Sequence, residues 1–260
     1  MKIKKLLIKK KRKEYLKDLK REVTVQKQEL HNIVNLNRDF STKFGTIKKS
    51  QLQKTGKVVL KNQEYYLLDP TLIDQLKNLK RTSQMIPIKD IGLIITETGI
   101  NKNSIVLDAG SGSGSLACFL AIYAKKVITY DINTENLAVT KQNIKDLELT
   151  NVEVKKADIT KSNKINEQDI DVFTLDIPNP EKAIITANRV LKVGGFIVSY
   201  SPNITQSQAI VNKIKQHNNF LYIKTCELIE REWKLEGKIA RPVSESIVPS
   251  GFLTFARKIR

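Results

Sequence analysis

The stretch Val106-Leu107-Asp108-Ala109-Gly110-Ser111-Gly112-Ser113-Gly114-Ser115-Leu116 decides the fold. An apolar strand, Ile105-Val106-Leu107, runs into a glycine and serine loop, and Leu116 to Ala124 reads as a helix. Glycines there let the chain turn sharply and let a ligand come close to the backbone at the carboxyl end of the strand. The spacing is Gly110-x-Gly112-x-Gly114 rather than G-x-G-x-x-G, and an acid stands two residues before the first glycine. A carboxylate at Asp108 would repel a pyrophosphate lodged on the helix N-terminus, but would attract a sulfonium or an ammonium group. The loop therefore points to a ligand with positive charge.

Working outward, Val127-Ile128-Thr129-Tyr130 reads as a second strand ending at Asp131, in the place where a carboxylate accepts ribose hydroxyls. Asp158 follows a third strand, Val152 to Val154, where it could accept from the exocyclic amine of an adenine. The alternation continues with helix Thr134 to Leu147, strand Val172 to Leu175, helix Glu181 to Leu191, strand Phe196 to Tyr200, helix Thr205 to His217 and a last strand, Gly251 to Arg257. Strands separated by helices at these intervals imply βαβ units and a parallel, doubly wound α/β sheet. Before it lie short apolar bursts (Leu6-Leu7-Ile8, Val23-Thr24-Val25, Ile33-Val34, Val58-Val59-Leu60, Tyr65 to Leu68) broken by Lys, Asn and Gly, which read as a small β-rich domain over residues 1–70. The helical spacing Leu72-Ile73-x-x-Leu76-x-x-Leu79 then leads into a second domain, 71–260.

Composition narrows the function classes. Apolar residues make up 40% of the chain, and no uncharged apolar run approaches the roughly 20 residues of a membrane span. Met1 to Arg21 is basic throughout and has no signal-peptide core, so a cytoplasmic location is expected. Cys118 and Cys226 are far apart and without metal-type spacing, and neither His31 nor His217 has a nucleophile motif beside it. No metal is expected. The net charge is +18; the 23 basic and 10 acidic residues before Asn101 give +13, and the remainder gives +5. That imbalance implies a polyanion held largely by the N-terminal part, and nucleic acid is the natural one. An aromatic content of 6% argues against a stacking platform for single strands.

The loop followed by Asp131 and Asp158 at successive strand ends resembles the class I S-adenosylmethionine-dependent methyltransferases, whose fold is a doubly wound Rossmann-like sheet. Within them, Leu175-Asp176-Ile177-Pro178-Asn179-Pro180 resembles the L-D-(L/I)-P-x-P segment of the TrmI-type tRNA (adenine-N1)-methyltransferases. Phe44 to Ile47, Leu68-x-Pro70-Thr71, Arg81-x-x-Gln84, Lys89-Asp90, Arg231-x-Trp233, Arg241-Pro242 and Gly251 to Arg257 agree with the same family. The resemblance implies S-adenosylmethionine as cofactor, tRNA as partner, a homotetramer and 1-methyladenosine as product in the tRNA T-loop, at position 58 with 57 as a second target. It also implies a cofactor-binding set of Gln84, Asp108, Gly110, Gly112, Ser113, Gly114, Ser115, Leu116, Asp131, Asp158 and Asp176. Two departures fall near the family's target-base pocket: Pro87-Ile88 stands where an aromatic or His precedes Pro, and Pro249-Ser250-Gly251 replaces His-Thr-Gly.

Adenine N1 has a free lone pair, so attack on a sulfonium methyl needs no deprotonation. It does need the base extruded from its pairing, at a cost of a few kcal/mol. The ring becomes cationic as the methyl arrives. A carboxylate at the base edge can accept from N6 and stabilise that charge more than the neutral ground state, which makes Asp176 the candidate catalytic residue. Its alternative role is to cap the helix that follows. The competing functions are a non-catalytic tRNA-binding subunit of the same fold and a methyltransferase acting on another amine or ring nitrogen.

Overall fold

The computed structural model describes residues 2–18, 20–82, 84–237, 239–244 and 251–260. Pro249 and Ser250, one of the two departures above, lie outside them. The chain divides into two compact units, Met1–Leu79 and Lys80–Arg260.

The first unit holds strands β1 (Lys5–Lys9), β2 (Arg12–Leu16), β3 (Arg21–Gln26), β4 (Glu29–Ile33), β5 (Phe40–Thr42) and β6 (Gly45–Ile47). Helix α1 (Lys49–Leu52), β7 (Gly56–Leu60), β8 (Gln63–Leu68) and helix α2 (Leu72–Lys77) follow. Antiparallel pairing gives a sheet in the order β4-β1-β8-β7, with β2–β3 and β5–β6 as separate hairpins. Leu7, Ile33, Ile47, Leu52, Val58, Tyr65 and Leu67 form its core. Two lysines are buried in this small unit, each with a partner. Lys5 Nζ donates to Asp69 Oδ1 at 2.6 Å, and Lys9 Nζ lies 4.0 Å over the Phe44 ring and faces Glu29. Helix α2 belongs here rather than at the head of the second unit. Gln75 exchanges two hydrogen bonds with the backbone of Ile3, at 2.9 and 2.7 Å.

The second unit contains α3 (Ile88–Thr98), β9 (Ile105–Ala109), α4 (Ser115–Ala121), β10 (Lys126–Asp131), α5 (Thr134–Asp146), β11 (Val152–Lys156) and β12 (Ile170–Leu175). It continues with α6 (Ile184–Val190), β13 (Leu191–Ser201), α7 (Ile204–Gln216), β14 (Phe220–Cys226), the hairpin β15 (Trp233–Glu236) and β16 (Ile239–Pro242), and β17 (Phe252–Lys258). The sheet order is β11-β10-β9-β12-β13-β17-β14. Chain order reverses between β9 and β12, and the crevice at their carboxyl ends is where open α/β sheets bind ligands. Strand alternation sends Leu107, Phe173 and Ile197 to one core and Val106, Val172 and Val198 to the other, under α3 and α4.

Three expectations are corrected. The sheet is mixed, because β17 runs antiparallel between β13 and β14; the terminal strand is internal. The helix expected over Glu181 to Leu191 is a 3₁₀ turn, Pro180–Ala183, followed by α6, which ends at Val190. Strand β13 starts at Leu191, ahead of the expected Phe196, and passes through Gly194-Gly195. A Cβ at Gly195 would stand 2.9 Å from Ile170 O, so glycine is what lets β12 and β13 approach. Among the described residues no helix is long and apolar enough to cross a membrane, and no group of three or more His, Cys, Asp or Glu is placed to hold a metal ion.

Candidate active site

Asp108 is the last residue but one of β9, inside the sheet. Parallel register sets it beside Thr129 of β10 and Thr174 of β12. Both hydroxyls donate to it, Thr129 Oγ1 to Oδ2 at 2.6 Å and Thr174 Oγ1 to Oδ1 at 2.8 Å. Burial raises its pKa to about 6, against the lowering effect of those two bonds, and the charge of Asp131 adds to the rise. Asp108 lines neither of the cavities at the strand ends. Its carboxylate lies behind the loop, held by the two threonine hydroxyls, and acts through the low-dielectric interior.

Asp131, at the end of β10, organises the loop itself. Its Oδ2 accepts from the Gly112 N–H at 2.9 Å, from Asn136 Nδ2 at 3.1 Å and from Ser111 Oγ at 3.4 Å. Oδ1 accepts the Asn133 N–H at 2.8 Å and keeps acceptor capacity on the cavity side. Gly112 sits at φ 51°, a backbone conformation open to glycine. Gly114 has a different reason to be glycine: a Cβ there would meet Thr140 Cγ2 of α5 at 2.7 Å. That lets the loop pack closely on α5. Asn143 of α5, on which sequence offered no signal, donates to Ser113 O at 2.8 Å and to Lys80 O at 2.9 Å, tying the loop to the segment before Gln84.

The larger cavity, about 510 Å³, is lined by Gly110, Asp131, Ile132, Asn136, Asp158, Ile159, Asp176, Ile177, Pro178 and Lys182, among others. A narrow second one, about 20 Å³, is lined by Gln84, Met85, Ile86, Gly110, Ser111, Gly112, Ser113, Ser115, Leu116 and Asp176. Gly110 and Asp176 border both. Asp158 accepts from Thr160 Oγ1 at 2.6 Å, and that bond holds its pKa below the ordinary aspartate value.

Asp176 differs from the others. No hydrogen bond from the described residues reaches its carboxylate, and burial, with the charge of Asp108, pushes its pKa up to about 7. The cap that begins the next turn falls at Asn179, with no side-chain bond, so Asp176 is not a helix cap. Its backbone is tied to β9 instead: the Asp176 N–H donates to Ala109 O at 2.5 Å, and the Gly110 N–H donates to Asp176 O at 3.3 Å.

Near this end of the sheet, Lys89 Nζ donates to Asp90 Oδ1 at 2.9 Å and to Leu228 O at 2.6 Å. Asp90 is fully buried, which raises its pKa. Tyr200 Oη accepts the Gly251 N–H at 2.9 Å, and a Cβ on Gly251 would collide with the Tyr200 ring. The Lys-Asp pair and the Gly251 segment noted in the sequence are thus structural ties around the site.

Carboxylates at the ends of three adjacent strands, a glycine cradle, and a cavity with an acid at each place where a nucleoside offers donors fit a cationic adenosyl ligand. Such a fold and site define a Rossmann-like, S-adenosylmethionine-dependent methyltransferase. Comparison with known proteins agrees. The crystal structure of a SAM-dependent O-methyltransferase from Thermotoga maritima matches with a TM-score of 0.82 at 25% identity, over 100% of this chain and 94% of that one. That of the tRNA (m1A58) methyltransferase TrmI from Aquifex aeolicus matches at 0.77 and 21% identity, over 100% and 98%. The tRNA (adenine(57)-N(1)/adenine(58)-N(1))-methyltransferase TrmI of Methanocaldococcus jannaschii is 36% identical over 227 residues, 76% of this chain and 79% of that protein. The family model described as tRNA methyltransferase complex GCD14 subunit covers residues 64–240, and the chain belongs to that family.

Proposed function

We propose that this protein transfers the methyl group of S-adenosylmethionine to N1 of adenine in the T-loop of tRNA, at position 58 and also at 57, the pair of positions named for the archaeal relative. The observation that carries the chemistry is the place of Asp176. It borders both cavities, has no donor among the described residues, and sits on a loop stiffened by Pro178 and Pro180.

The cofactor supplies an electrophilic methyl on a cationic sulfur. Asp131 accepts the ribose hydroxyls, Asp158 accepts from the adenine amine, and Gln84 with the Gly110 to Leu116 loop holds the methionine end. Asp108 and Asp176 favour the cation there. An opposite charge close to Asp176 returns it to the ionised form despite its burial. Ionised and short of hydrogen bonds, it accepts from N6 of the extruded adenine and gains most as N1 becomes cationic. No general base is required.

The basic first unit binds the tRNA body, where phosphate contacts position the substrate without reading sequence. The family resemblance supports a homotetramer. Incubation of purified protein with a tRNA transcript and labelled cofactor, followed by nucleoside analysis, tests the reading. 1-Methyladenosine is expected, and it should disappear from transcripts with guanine at 57 and 58. Label in another nucleoside would replace the reading with a different methyl acceptor.

A further inference from the structure

The cofactor uses little of the positive charge around the mouth of its own cavity. Lys182 lines the large cavity beside Asp176 and Pro178. A shallower hollow of about 490 Å³ shares Ile132, Ala157 and Asp158 with it and is lined on its far side by Lys156 and Lys164. All three lysines are exposed. Among the described residues none of them forms an ion pair with a carboxylate, whereas several other lysines of this unit are matched: Lys126 with Glu153 at 2.7 Å, Lys155 with Glu167 at 2.6 Å, Lys224 with Glu97 at 2.8 Å, and Lys192 with Asp171. Lys156 Nζ donates to the Thr134 hydroxyl at 2.6 Å, which fixes its direction without neutralising it.

Three lysines without an ion-pair partner around one concave mouth, with Lys164 acting on Asp158 only through space, repel one another and repel a cofactor whose sulfonium, ammonium and carboxylate sum to a positive charge. The adenosine end of that cofactor carries no phosphate for them to bind. A strand of phosphates laid across the mouth resolves both repulsions and gains affinity by counterion release. We propose that Lys156, Lys164 and Lys182 form a rim that carries the backbone of the RNA substrate across the opening of the cofactor cavity. This rests on the reading of tRNA as substrate and adds where on the second unit its backbone runs. Because the phosphates neutralise the lysines that repel the cofactor, tRNA and cofactor bind with positive coupling, and each tightens the other by the same factor.

The test is a triple variant, Lys156→Gln, Lys164→Gln and Lys182→Gln, in the full chain, set against a control with Lys126→Gln, Lys192→Gln and Lys224→Gln. Removing one lysine from a phosphate lowers the slope of log affinity against log salt by about one. The parent should therefore lose roughly 60-fold more tRNA affinity than the rim variant between 50 and 200 mM salt. The control should lie close to the parent. Calorimetry with a cofactor analogue that carries an amine in place of the sulfonium, with and without tRNA, should show coupling in the parent and little in the rim variant, which without tRNA should bind the analogue more tightly than the parent does. A control that loses as much slope as the rim variant would reduce the effect to diffuse charge and overturn the rim. An unchanged slope in the rim variant would overturn it as well. If tRNA is not the substrate, the parent makes no 1-methyladenosine, and that result is separate from either slope.

Discussion

Asp176→Asn should slow the enzyme and stabilise it at the same time, and the two effects share one cause. The side chain keeps its shape and can still present an oxygen to N6, but it cannot offset the charge that develops on the adenine. Losing one preorganised interaction of this kind lowers kcat by about 10²–10³, or roughly 3–4 kcal/mol of transition-state stabilisation. Burial and the charge of Asp108 lift the Asp176 pKa from 3.8 to about 7, so the folded protein holds a proton there that the unfolded chain releases between those values. Stability therefore falls as pH rises from about 4 to 7, by at most about 4 kcal/mol. Asparagine carries no such penalty. Roughly 2–3 kcal/mol of it accrues between pH 5 and 8, so the Tm of the variant should gain on that of the parent by roughly 5–10 °C over this range without cofactor. In the parent, kcat/KM for the cofactor, which reports the cofactor-free protein, should climb tenfold per pH unit below about 7 and level off above it; in the variant this inflection should vanish. Calorimetric melts at pH 5, 6, 7 and 8 and steady-state methylation over the same range supply both readouts. A variant within a few-fold of the parent in kcat would remove Asp176 from the chemistry. A Tm difference that stays constant with pH would mean that its carboxylate is solvated.

Three further outcomes are expected. Gly112→Val forces a β-branched residue to φ 51°, and calorimetry should show cofactor binding lost in a protein that still melts cooperatively; retained affinity would remove the loop from the site. Asp131→Asn removes the charge that accepts the Gly112 N–H and faces the ribose, so cofactor Kd should rise by about 10–100-fold, the worth of one or two hydrogen bonds to an ion, while tRNA affinity measured without cofactor stays within twofold. Thr174→Val deletes the donor at 2.8 Å from Asp108 Oδ1 and should destabilise by about 1–3 kcal/mol above pH 6, where that carboxylate is ionised in the fold. Its pKa rises further in the variant, so stability is lost as pH increases. Urea melts at pH 5 and 8 would contradict this if the deficit were larger at pH 5.

How far the sequence carried the site depended on which physical quantity each residue type reports. Spacing reports position along the chain, and it placed Asp131, Asp158 and Asp176 at strand ends because a strand stops where its apolar run stops. It does not report which side of a strand end meets the ligand. Asp108 shows the difference. From the loop alone its carboxylate is a candidate ligand contact, while its partners Thr129 and Thr174 are 21 and 66 residues away, and only the parallel register brings them alongside. Gly114 is similar. Its spacing fits a ligand cradle, and the atom it makes room for is Thr140 Cγ2 on the next helix. The mixed edge of the sheet was illegible for another reason: β17 has the apolar pattern of a buried strand whether its neighbours run parallel or antiparallel. What the structure adds is how each charge is matched. Asp108 is satisfied by two hydroxyls and Asp131 by backbone and amide donors, which leaves Asp176 as the carboxylate at these strand ends with no donor among the described residues. A carboxylate kept without donors is costly to ionise until a cation arrives, and the reacting base is the one partner that turns cationic during the reaction itself.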